Sequence, residues 1–304
     1  MIKINPVTGL HASGYRFRLN CRPISRRALF IPLSMKQNEC IRLILEGVHP
    51  CVVFNVDSIV KARWHFNQIR KKYDFNFWAA TDYTVRDIND PDSNIAFILN
   101  RKQNRLISIL EERFFDRLPG RYIIFKRPSR IGLTTCIQAY IIWRQLYRCA
   151  GNANICAASE FNLLHMRANF ARFFKREIVH KEKWLRFPDG NNALFLNSFA
   201  NPDAPRGIDF HYVHMADMSK WKDPSARLSR RAYIANISGI LPDHTTLIIL
   251  EGNRPSFDIR TNDISLLYDE KVKYALRPPS LFTSELLCTL LHRHDNPFLT
   301  PIEL

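Results

Sequence analysis

Three features of the sequence predict an α/β fold, a mainly parallel sheet flanked by helices with a small N-terminal subdomain before it. From Asn94 onward, short apolar runs of strand character alternate with helix-length segments, the pattern of buried parallel strands joined by helical crossovers. A compact run, Arg121–Lys126, is followed by a short loop and a long apolar helix from about Thr134 to Arg148. That strand–loop–helix order is what a phosphate-binding loop requires. The stretch before Asp92 lacks this regularity. The expected division is an N-terminal region, residues 1–92, a regular α/β core, 93–260, and a C-terminal extension, 261–304.

In order along the chain, a basic stretch (Arg22, Arg26, Arg27) precedes the apolar Ala28-Leu29-Phe30-Ile31. Asn38–Glu46 reads as a helix and Cys51–Phe54 as a strand. Lys61–Lys72 reads as an amphipathic helix with Trp64, Phe66 and Ile69 as its apolar contacts. A helix over Arg101–Arg117 places Leu106, Ile107, Ile109, Leu110 and Phe114 at helical spacing, and Pro119-Gly120 ends it. Further strands are expected at Ala153–Ala158, Ala193–Ser198, Phe210–Asp217 and His244–Glu251. Helices are expected at Phe161–Arg176 and near Ala226–Ile237.

Composition narrows the class. The 304 residues suffice for one large domain or two modest ones. With 46% hydrophobic and 12% aromatic residues the chain is not a disordered tail. Forty-four Lys and Arg against 28 acidic residues leave a formal charge of +16. Such a surplus suits a polyanionic partner, since each cation placed on a phosphate releases counterions, although charge alone also serves solubility. Seven cysteines without a CxxC pair argue against a disulfide framework or a cysteine-rich zinc site. His211 and His214 fall on opposite faces of a strand, and His292 and His294 read as surface residues, so zinc is not expected. No apolar run approaches the ~18 residues of a membrane span, and no leader pattern is present, so the expected setting is a reducing cytoplasm.

The chemistry concentrates in four segments. Arg127-Pro128-Ser129-Arg130-Ile131-Gly132-Leu133-Thr134-Thr135 occupies the strand-to-helix loop. Gly132 and Thr134 match the end of G-x-x-x-x-G-K-S/T, whereas Arg127 replaces the first Gly and Leu133 the Lys. Asn201-Pro202-Asp203-Ala204-Pro205-Arg206-Gly207 precedes the apolar strand that ends in Ala216-Asp217, with Trp221 four residues on. Phe97-Ile98-Leu99-Asn100 leads into a helix bearing Gln103, whose carboxamide can both donate and accept toward a base edge. Finally, Leu250-Glu251-Gly252-Asn253 ends a strand.

Together, in this order and spacing, these segments resemble the phage large terminases over roughly Tyr73 to Asn253, including terminase-like proteins of gut phages. The loop is similar to the family's K-x-R-Q-x-G-x-S/T-T form, with P-D-x-x-R-G and an acid-ended strand downstream. The resemblance implies a P-loop NTPase fold of ASCE type, a Walker A loop at Arg127–Thr135 and a Walker B strand ending at Asp217. It implies ATP and Mg²⁺ as ligands: Gln103 on adenine, Arg127 or Arg130 on phosphate, Gly132 and Thr135 in the loop, Thr134 on Mg²⁺, and Asn253 sensing the γ-phosphate. Arg130 is the substitute cation, and Asp217 orients the attacking water and takes part in holding Mg²⁺. Ala216 takes the first acidic position of that strand, and Asp stands where Glu is usual. Arg206 is expected to be structural.

The implied function is ATP-driven translocation of double-stranded DNA into capsids, by a homo-oligomeric ring at the portal with a small terminase subunit, in the host cytoplasm. The alternative is a catalytically degenerate, terminase-derived nucleic-acid-binding or scaffolding protein. A large terminase continues into a two-metal nuclease domain; the acids after Asn253 form no such cluster in the sequence, so no nuclease activity is expected of these residues.

Overall fold

Two compact units divide the chain, Met1–Asn100 and Arg101–Leu304. The computed structural model describes residues 18–19, 22–23, 33–87, 90, 92–100, 103–104, 106–107, 110–111, 122–127, 132–148, 150–178, 181–199, 201, 204–217 and 247–253. The expected helix near Ala226–Ile237, the Pro119-Gly120 stop, Trp221, His292, His294 and the extension 261–304 lie outside them.

The first unit is mainly helical. A two-residue antiparallel pair, β1 (Arg18–Leu19) with β2 (Arg22–Pro23), and a 3-10 segment, Leu33–Gln37, come first. Helix α1 (Glu39–Leu45) begins where the Asn38 side chain accepts the Ile41 N–H. The Cys51–Phe54 run, expected as a strand, is instead a single helical turn, α2 (Pro50–Val53). Pro50 supplies a helix-ready φ at the first position and His49 Nδ1 accepts the Cys51 N–H. This start signal outweighs the strand propensity of two valines. Helix α3 (Ile59–Tyr73), capped by Ser58, buries Ala62 and Phe66 with Met35, Ile41 and Ile44. Ile69 packs against this cluster, but Trp64, expected beside it, is 57% exposed.

Asp74 ends α3 and begins α4 (Phe75–Asp82), accepting the Phe77 N–H at 3.1 Å and Arg70 Nε at 2.9 Å. The Arg70 guanidinium also lies 4.4 Å above the Phe77 ring. The buried rings of Trp78, Tyr83 and Phe97 pack in sequence, Trp78 on Tyr83 and Tyr83 on Phe97. An antiparallel pair, β3 (Thr84–Arg86) with β4 (Asn94–Ala96), follows α4; each strand is too short for periodicity to reveal.

The second unit is a mixed α/β structure on a mostly parallel sheet. Its strands are β5 (Tyr122–Arg127), β6 (Asn152–Ala157), β7 (Trp184–Arg186), β8 (Ala193–Ser198), β9 (Tyr212–Met215) and β10 (Leu247–Asn253). They lie in the order β5-β10-β9-β6-β8-β7, all parallel except the antiparallel edge strand β7, a three-residue element absent from the sequence reading. Residues 153–157 of β6 and all of β8 and β9 are buried, as strands covered on both faces must be.

Helical residues at 103–104, 106–107 and 110–111 bury Leu106, Ile107 and Leu110. Helix α5 (Leu133–Tyr147) is buried along most of its length, from Leu133 to Gln145, and packs on β9. Helix α6 (Glu160–Phe174), capped by Ser159, packs on β6 and β8. The chain steps outward from β6 to β8, then returns to the opposite side of β6 for β9. Such a reversal of strand order opens a crevice at the carboxyl ends of the strands.

Candidate functional site

The carboxyl edge of the sheet gathers most of the residues that the sequence singles out. β5 ends at Arg127 opposite Asn253, the last residue of β10. On its other side β10 pairs with β9, Leu250 opposite Met215, and Ala216 and Asp217 follow directly. Strand β10 therefore separates the strand entering the loop from the strand that ends in Asp217. The side chains of Arg127 and Asn253, and all of Arg130, lie outside the described residues.

The loop delivers its chain to α5 through Gly132, which sits at φ +70° and ψ 18°. A side chain there would be strained, and its Cβ would lie 2.7 Å from Gln103 Nε2. Gln103 is itself buried and donates from Nε2 to the Gly132 carbonyl at 3.2 Å. Helices α1, α2, α3, α4 and α6 each begin with a side chain accepting a backbone N–H, whereas α5 has no side-chain cap. Uncapped N–H groups at a helix start attract an acceptor, and the helix dipole favours an anion.

Thr134, in the first turn of α5, donates from Oγ1 to Glu251 Oε1 at 2.5 Å. His214 Nε2 lies 3.2 Å from the same oxygen, and both Glu251 and His214 are completely buried. His214 Nδ1 is also buried, with no hydrogen-bond partner. Burial, reinforced by the nearby Glu251 charge, pushes the Cys136 thiol well above its usual range, so Cys136 is an inert thiol of the helix interior. Thr135 and Asp217 are half-buried. Asp217 adopts φ +57°, a left-handed conformation that Asp tolerates better than most residues and that marks a tight corner after β9. Arg206 is exposed in a turn.

The structure thus brings Gln103, Gly132 and Thr134 together, and adds two residues that the sequence reading gave no role. In the sequence Glu251 reads only as part of a strand-end run, and His214 only as one of two histidines on a strand. The available signal was a Glu following four apolar residues on a buried strand, since a lone charge in such a place is seldom without a partner.

Hard oxygen donors, Thr134, Glu251 and Asp217, are the type that suits Mg²⁺. Among the described residues no group of three or more His, Cys, Asp or Glu forms a ready-made metal cage.

A mostly parallel α/β sheet with a glycine-led helix and acidic strand ends at one edge defines the class of this protein. Its structure is similar to those of phage large terminases. One is the HK97 bacteriophage large terminase, at 13% identity and TM-score 0.47, covering 71% of this chain and 43% of that one. A second is the large terminase of a thermophilic bacteriophage in complex with ADP, at 14% identity and TM-score 0.47, covering 67% of this chain and 48% of that one. A third is the ATPase domain of the Thermus phage P74-26 large terminase, at 12% identity and TM-score 0.33, covering 54% of this chain and 86% of that one. The chain spans less than half the length of the first two. No protein-family model matches it, and no curated protein is significantly similar. Among the described residues no helix is long and apolar enough to cross a membrane.

Proposed function

We propose that this chain is the ATPase part of a large terminase, a P-loop NTPase of ASCE type that couples ATP hydrolysis to translocation of double-stranded DNA into phage capsids. The observation that carries the reading is the uncapped, Gly132-led start of α5 beside the buried carboxylate of β10 and the Asp217 corner of β9. Phosphates would lie against the first turn of α5, where backbone N–H groups point outward. With ATP as the phosphoryl donor, Thr134 and Asp217 would hold a magnesium ion, which would supply neutralisation of the phosphate charge.

The remaining roles fall to this chain's own side chains. Asp217 orients the attacking water. Arg127 or Arg130 supplies the cation that Leu133 cannot, and Gln103, which supports the loop through Gly132, reads adenine. Asn253 senses the γ-phosphate from the end of β10. The charge of +16 supplies the attraction to duplex DNA. Assembly as a ring on the portal with a small terminase subunit, in the host cytoplasm, completes the proposal.

ATPase assays with and without duplex DNA test it. Turnover is expected, with Thr134→Ala and Asp217→Asn each reducing it by about 10²–10⁴-fold, the range of a positioned acid–base or metal-holding group. Absence of both turnover and nucleotide-induced stabilisation would sink the motor reading. Retained DNA binding would then leave the degenerate nucleic-acid-binding protein, which Ala216 and Leu133 favour.

A further inference from the structure

In a P-loop site the Ser or Thr hydroxyl and a carboxylate at the end of the Walker B strand share the magnesium ion. Here the first of the two acidic positions that follow β9 is Ala216, completely buried and bonded through its N–H to the Cys156 carbonyl. It has no carboxylate to offer. One strand over, Glu251 is also completely buried, and its Oε1 accepts the Thr134 hydroxyl at 2.5 Å. His214, two residues before Ala216 and so on the same face of β9, reaches that same oxygen at 3.2 Å. Carried past the end of β9, the same alternation puts position 216 on the His214 face, where its N–H still bonds to β6 at Cys156.

We propose that Glu251 of β10 takes over the role that Ala216 cannot fill, as the carboxylate that orients Thr134 toward a nucleotide-bound divalent cation. The chemistry follows from the direction of the hydrogen bond. A hydroxyl ligates a cation through an oxygen lone pair, so its proton must point elsewhere. Glu251 receives that proton from behind, leaving the Thr134 lone pairs toward the phosphate side. His214 braces the carboxylate from β9, so the loop helix, β10 and β9 meet at one oxygen. Glu251 is accordingly a positioning residue, acting through Thr134. Outer partners of this kind change metal affinity by about 10–100-fold when removed.

The inference rests on the phosphate-loop reading above, and the test separates the two. ADP binding is measured by calorimetry on the full chain, in MgCl₂ and in EDTA, for wild type, Glu251→Gln, and Glu251→Gln combined with Ala216→Asp. Magnesium is expected to tighten ADP binding to the wild type. Glu251→Gln should lose about tenfold or more of that gain while binding ADP unchanged in EDTA. Ala216→Asp should restore most of the loss from the neighbouring strand, which a merely structural role would not permit. A magnesium gain left intact by Glu251→Gln, or an equal loss in EDTA, overturns the assignment of Glu251 alone. A wild type that binds no ADP in either condition overturns the phosphate-loop reading as well. Should Glu251→Gln not fold, Glu251→Asp keeps the charge and retracts it by one methylene; an intermediate magnesium gain is expected, and an unchanged one overturns the proposal.

Discussion

Two carboxylates in this protein are almost equally inaccessible, Asp74 at 6% exposure and Glu251 at 0%, yet they are held in opposite ways. Asp74 takes its partners from its own neighbourhood: Arg70 four residues before it and the Phe77 N–H three residues after. It closes one helix, opens the next, and has its charge matched where it stands. Glu251 takes its partners from 117 and 37 residues away, a threonine at the start of a helix and a histidine on a neighbouring strand. A buried acid satisfied locally is part of the scaffold. One assembled from distant elements at the carboxyl edge of a parallel sheet is where chemistry is expected.

Removing Arg70 breaks the scaffold half of this contrast and should give the largest effect. Arg70→Ala leaves the Asp74 carboxylate buried without its cation and exposes the Phe77 ring face, so a loss of about 3–5 kcal/mol in urea unfolding is expected. A loss below about 1 kcal/mol would mean that Asp74 is compensated elsewhere. Gly132→Ala comes next, since it combines a left-handed φ with a Cβ 2.7 Å from Gln103 Nε2. It should cost about 1–3 kcal/mol, and adding Gln103→Ala should recover only the part due to the clash. Glu251→Gln should change the unfolding free energy by about 1 kcal/mol or less, because groups placed for function are rarely placed for stability. A loss as large as that of Arg70→Ala would make Glu251 a second scaffold acid and erase the contrast.

The sequence foretold what depends on local rules. The alternation of β5, α5, β6 and α6 was legible because β5 and β6 are compact apolar runs and α5 and α6 each run for 15 residues. Gly132 was legible because a glycine between a strand and a helix has few other uses. Strand β7 was not, since three residues leave no period to read. The α2 turn reads as a strand because Cys51-Val52-Val53 has strand propensity, while the deciding signal, Pro50 behind a capping His49, lies one residue earlier. Glu251 and His214 were invisible as a pair. Their meeting depends on β10 lying beside β9, a fact of strand order that no window of sequence contains.

Trp64 offers the smallest and most discriminating of these effects. Its apolar character groups it with Phe66 and Ile69 in the sequence, and a tryptophan in that cluster would be worth several kcal/mol to truncate. In the structure it is 57% exposed, edge-on to His65 with ring centroids 4.9 Å apart, while Phe66 is completely buried. Residues 64 and 66 are separated by about 200° around a helix, so one face cannot bury both. Trp64→Gln should therefore change stability by no more than about 0.5 kcal/mol, as exposed substitutions do, while Phe66→Ala should cost about 3–5 kcal/mol. Equal losses from the two would show that Trp64 is covered as fully as Phe66, against the 57% exposure it has here.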